Sequence, residues 1–108
     1  MSFDFNQHTR QIEGLCRKHR VIRLAAFGSA VSGGFDPSSS DIDLLAVFSS
    51  PREPGYADRY LDFAEALEFA LGRSVDLLTP GAIRNRRFAE TIRREAVTLY
   101  EAESHQAA

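Results

Sequence analysis

Among the 108 residues there is one cysteine, Cys16, and no tryptophan. The lone thiol excludes an internal disulfide framework. No apolar run approaches the roughly 18 residues of a membrane-spanning helix, and none has the form of a signal-peptide core, so the expected compartment is the cytoplasm. Basic charge is not in excess: 13 Lys and Arg stand against 15 Asp and Glu, a formal net charge of −2. Bulk attraction to nucleic acid is thereby removed, and any phosphate contact must come from a local feature. No repeat and no linker divides the chain, which predicts one domain over residues 1–102 and a frayed tail over 103–108. A domain this small buries about two thirds of its unfolded surface and has little volume for a deep cavity, so a partner is expected to complete any site.

Apolar periodicity supplies the elements. Phe5, His8, Ile12, Leu15, Cys16 and His19 recur at three- and four-residue intervals, which predicts an amphipathic helix from Phe5 to His19. VIRLAAF, Val21 to Phe27, is short and largely apolar, as in a strand covered on both faces, and ends at Gly28. DIDLLAVF, Asp41 to Phe48, is a second such strand, followed by a loop from Ser49 to Gly55 with two prolines. A helix with Tyr60, Phe63, Ala64, Leu67, Ala70 and Leu71 inward ends at Gly72. RSVDLL, Arg73 to Leu78, reads as a strand, and Ala82 to Glu95 as a helix with Ile83, Phe88 and Ile92 inward. VTLYE adds a short extended segment. This order predicts an α/β fold, a small mixed sheet of three to four strands packed against about four helices.

Chemistry gathers at the strand ends. Side chains two apart in a strand share a face, so Asp41 and Asp43 project together while Ile42 and Leu44 project the other way. Two carboxylates held this close repel unless a cation lies between them, and Mg²⁺ suits the pair, since it takes one or two carboxylates and leaves its other positions to water and phosphate oxygens. Asp76 interrupts an otherwise apolar strand, where an isolated charge is costly. If that strand lies beside the second, the three carboxylates converge and can hold two metal ions. Gly28 allows close approach of a ligand to the backbone, Ser29 offers an N–H and a hydroxyl to a phosphate oxygen, and a helical turn at Ser29 would aim its dipole there.

Other residues have plainer expectations. Arg84, Arg86, Arg87, Arg93 and Arg94 crowd the last helix and are expected to form a solvated face paired with Glu90 and Glu95, the alternative being a docking face for an acidic partner or for phosphates. His8, His19 and Cys16 are expected to pack, not to bind zinc. Tyr56, Tyr60, Phe63 and Phe69 are expected in helix packing, and Asp76 taken alone could be an ion-pair partner of Arg73.

The succession GS, then SDIDLLAVF, then VDLL resembles the signature of the polymerase-beta-type nucleotidyltransferase superfamily, and the length is similar to that of minimal nucleotidyltransferase (MNT) domains of prokaryotes. The resemblance implies the nucleotidyltransferase fold, with Gly28 and Ser29 holding ATP, Asp41 and Asp43 binding two Mg²⁺ ions, and Asp76 completing the metal site and helping to deprotonate the acceptor. It implies in-line attack of a hydroxyl on the α-phosphate with release of pyrophosphate. It further implies an antitoxin role, transfer of AMP to a tyrosine of a helical HEPN toxin. Members of the family often carry arginines in a G-S-R-x-R-G pattern, whereas this chain has GSAVSG, with Ala30 and Ser32 at the basic positions. That departure supports the alternative of a catalytically weak domain that neutralises or scaffolds a HEPN partner by binding alone.

Overall fold

The computed structural model describes residues 2–103. Four strands, β1 (Val21–Phe27), β2 (Ile42–Phe48), β3 (Val75–Leu78) and β4 (Val97–Glu101), form one sheet in the order β3-β2-β1-β4. β1 runs antiparallel to both β2 and β4, and β2 runs parallel to β3. The helices are α1 (Thr9–Lys18), α2 (Ser29–Ser32), α3 (Tyr56–Leu71) and α4 (Arg86–Glu95). The parallel β2–β3 pair needs a crossover, and α3 provides it.

The sheet has two unlike faces. In β2 burial alternates with period two: Ile42, Leu44, Ala46 and Phe48 are buried, and Asp43, Leu45 and Val47 are half-buried. Register extends the buried row into Leu24 and Ala26 of β1 and Leu77 of β3. Ile12 and Cys16 from α1 and Phe63, Leu67 and Leu71 from α3 join the same core. Phe48 packs edge-on against Phe63 and Tyr56, with ring centroids 5.6 and 5.5 Å apart. Each large apolar side chain fully buried here contributes about 1.5–3 kcal/mol. The opposite face carries Arg23, Ala25 and Phe27 beside Val47, Leu45 and Asp43, and α4 lies across it.

Several expected boundaries shift for local reasons. The first helix begins at Thr9; Phe5–His8 is a 3-10 turn capped by Asp4, whose carboxylate accepts from the Asn6 amide at 3.0 Å. The last helix begins at Arg86, because the Asn85 side chain accepts from the Phe88 amide at 3.1 Å and fixes the start there, leaving Pro80–Ala82 as a separate 3-10 turn. Gly72 ends α3 as expected, with φ +71° and its amide on Glu68 O at 2.9 Å. Phe69, expected in helix packing, is 91% exposed, and Phe88, expected inward, is 41% exposed. From residue 104 onward the expected tail lies outside the described residues. Among the described residues no helix is long and apolar enough to cross a membrane.

One side chain ties the core to the loops. Arg59 donates to the carbonyls of His19, Ser49 and Ser50 at 3.1, 2.7 and 3.1 Å, and its guanidinium lies 5.4 Å from the Phe48 ring centroid. It satisfies backbone oxygens where β1 begins and β2 ends.

Candidate active site

β1 ends at Phe27, which stands opposite Asp43 on β2. The next residue, Gly28, has φ +73° and ψ −152°, a conformation L side chains rarely adopt. A Cβ built on Gly28 would lie 2.4 Å from Asp43 Oδ2. Glycine is therefore required twice, by the turn and by the carboxylate resting against its backbone. α2 follows at once, with the amides of Val31 and Ser32 donating to Gly28 O at 3.2 and 3.0 Å. Ser29 opens this turn, and Ala30 is buried, its carbonyl accepting from the Phe3 amide at 2.9 Å.

The parallel register sets Asp76 directly beside Asp43. Directly paired residues share a sheet face, so Phe27, Asp43 and Asp76 form one row across three strands. Asp41 is exposed, one residue before β2. Burial, and then the charges of Asp76 and Asp41, push the Asp43 carboxyl above its ordinary range. The same three charges are what a divalent cation would offset, and an all-oxygen donor set suits Mg²⁺. Among the described residues no group of three His, Cys, Asp or Glu side chains is gathered closely enough to hold a metal ion. Asp43 and Asp76 are paired neighbours on one face, and Asp41 lies just before the strand that carries Asp43.

The serine-rich run before Asp41 is a turn built on Asp36. Its carboxylate accepts from the Ser38 amide at 2.9 Å and from the Ser38 and Ser39 hydroxyls at 2.8 and 3.0 Å, which holds it below the usual carboxylate range. Arg73 does not pair with Asp76: it donates to Ser40 O at 3.3 Å and lies 4.9 Å from the Phe35 ring centroid.

α4 completes the surroundings. A cavity of about 210 Å³ opens between it and the sheet, with Asp43, Asp76, Phe27 and Leu78 on the sheet side and Phe88, Thr91 and Glu95 on the helix side. Sequence reading does not single out Thr91, and names Glu95 only as an ion-pair partner for the arginines. The signal was their spacing, since 88, 91, 92 and 95 follow the helical period and line one face. The five arginines around α4 are exposed, but among the described residues none comes within ion-pair distance of Glu90 or Glu95. The other candidates are structural. His19 Nδ1 bonds Leu15 O at 2.9 Å, His8 Nδ1 lies 3.2 Å from Gln11 Oε1, and burial pushes the Cys16 thiol up to about 12.

The model of the nucleotidyltransferase domain family matches residues 8–99. The chain belongs to the nucleotidyltransferase domain family. Its matched span holds the Gly28 turn and all three aspartates. A protein of Methanocaldococcus jannaschii named as a putative protein adenylyltransferase is 34% identical to this nucleotidyltransferase domain over 80 residues, 74% of this chain and 78% of its own length. A solved structure described as a putative minimal nucleotidyltransferase is 29% identical, with a TM-score of 0.70 over 86% of this chain and 90% of that one. A chain from the complex of a tri-AMPylated Shewanella oneidensis HEPN toxin with its MNT antitoxin superposes with a TM-score of 0.63 at 16% identity, over 96% of this chain and 78% of that one. That last likeness is one of fold.

Proposed function

We propose that this nucleotidyltransferase domain transfers AMP from ATP to a tyrosine hydroxyl of a HEPN-type toxin, acting as its antitoxin in the cytoplasm. The observation that carries it is the juxtaposition of Asp43 and Asp76 on one sheet face, with Asp41 two residues from Asp43 and Gly28 against the Asp43 carboxylate. Asp41, Asp43 and Asp76 would hold two Mg²⁺ ions, which supply charge neutralisation at the phosphates and activation of the attacking hydroxyl when bound. Gly28 and Ser29 would hold the triphosphate, with the absent Gly28 Cβ leaving the backbone open to it. Asp76, on the edge strand and exposed, would accept the acceptor's proton. The names of the 34% identical relative and of the AMPylated toxin complex support this direction of transfer.

The test incubates the purified chain with α-labelled ATP, Mg²⁺ and the HEPN-type protein proposed as its partner. Label should appear on the HEPN protein and be lost with Asp43→Asn. Absence of transfer, with a tight complex that survives Asp41→Ala/Asp43→Ala, would instead favour neutralisation by binding alone. That second reading draws on Ala30 and Ser32, which give the phosphate turn no cationic side chain.

A further inference from the structure

We propose that the cavity between the sheet and α4 is the acceptor pocket, seating an aromatic ring so that its hydroxyl meets the carboxylates of Asp43 and Asp76. This rests on the transfer reaction above and adds where the acceptor side chain lies. The volume, about 210 Å³, is below the roughly 300–1,000 Å³ of sites that enclose whole drug-sized ligands. It is sized for a side chain, not for a nucleotide.

The lining selects further. Phe27, Leu78, Phe88 and Ile92 give apolar walls, while Asp43, Asp76 and Glu95 are the charged groups, and no Lys or Arg among the described residues lines the cavity. The chain puts no cationic side chain here for a phosphate, so a phosphate could meet these carboxylates only through the Mg²⁺ proposed above. A purine, with polar atoms around its rim, would bury several of them against apolar walls at a cost. A phenol has one polar terminus and an apolar body. Phe88 meets Phe27 edge-on at 5.9 Å and 73° yet remains 41% exposed, which leaves part of an aromatic surface open to another ring beside the acids.

In this pose the phenolic oxygen attacks the α-phosphorus of ATP. The new O–P bond forms as the bond from that phosphorus to the oxygen bridging the β-phosphate breaks. Pyrophosphate leaves with that oxygen and its electron pair, and the phenolic proton passes to a carboxylate oxygen of Asp76.

Two measurements test the pocket. With the ¹⁵N-labelled full chain, N-acetyl-tyrosinamide should move the amide signals of Phe88, Thr91 and Glu95 saturably while AMP leaves them in place. Thr91→Trp, which fills the cavity from α4, should abolish those shifts in a spectrum that otherwise stays dispersed. Movement of these signals by AMP, or by neither probe, overturns the assignment. In the transfer assay Phe88→Ala should raise KM for the acceptor about tenfold, the scale of one lost ring contact and its burial, with KM for ATP within about twofold. A rise in KM for ATP alone also overturns it. If the unmodified chain transfers no label, the reaction proposal fails by itself, and the binding spectra still decide what the cavity takes.

Discussion

The two faces of the sheet use the same strands for opposite ends. On one, Leu24, Ala26, Ile42, Leu44 and Leu77 are sealed beneath α1 and α3. On the other, one residue out of step along the same strands, Phe27, Asp43 and Asp76 lie beside a cavity that α4 leaves open. Period-two alternation lets a single eight-residue segment serve as half the core and half the site. The contrast also divides cost: substitutions on the sealed face act on stability, and those on the open face act on chemistry.

The sharpest break of that division is Phe63→Ala, which empties a fully buried site among His19, Phe48 and α1. It should lower unfolding free energy by about 3–5 kcal/mol in urea titration. Asp43→Asn, by contrast, should cut label transfer at least about a hundredfold, about 2.7 kcal/mol of barrier, while removing a like-charge cluster and leaving the urea midpoint unchanged or higher. Gly28→Ala joins the two faces, since it strains the backbone and drives a methyl into the Asp43 carboxylate. A stability loss of about 1–3 kcal/mol with a matching fall in transfer is expected. Asn85→Ala removes the cap of α4 and should cost about 1 kcal/mol. Hydrogen exchange should quicken in α4 and leave α3 unaffected.

The smallest effect concerns the turn that delivers Asp41. The Asp36 carboxyl, lowered by its Ser38 and Ser39 bonds, titrates below its ordinary 3.8. Its folded value being depressed, the stabilisation is present above the unfolded value and is lost as pH falls through the folded one. The carboxyl carbon shift of Asp36 followed by NMR between neutral pH and about 2 reads this directly, and an unshifted titration would remove the turn's role.

Much of this was legible beforehand because it follows from short-range rules. Alternation in DIDLLAVF set Asp43 on the face opposite Ile42 and Leu44, and Gly72 marked the end of α3. What escaped notice depends on tertiary contact. Sequence reading assigns no role to Ser38–Ser40, which turn on Asp36. Phe69 fits the helical period yet stands in solvent, since periodicity assigns a face without saying whether anything covers it. The arginines of α4 were expected to pair with Glu90 and Glu95, but long flexible side chains on an exposed helix gain little from closing such pairs. Thr91 and Glu95 acquire meaning only once α4 is seen across from Asp76.

β3 has a consequence for the order of events in the molecule. It is four residues long, lies at the sheet margin, and is steadied from α3 by the Tyr60 hydroxyl on Leu77 O and by Glu68 accepting from the Val75 amide at 2.9 Å. Marginal strands reached through a long crossover are late to join and early to detach. The third aspartate therefore rides on a margin of the sheet, not in its middle. The chain can part from it while every residue of the β1–β2 hairpin stays paired.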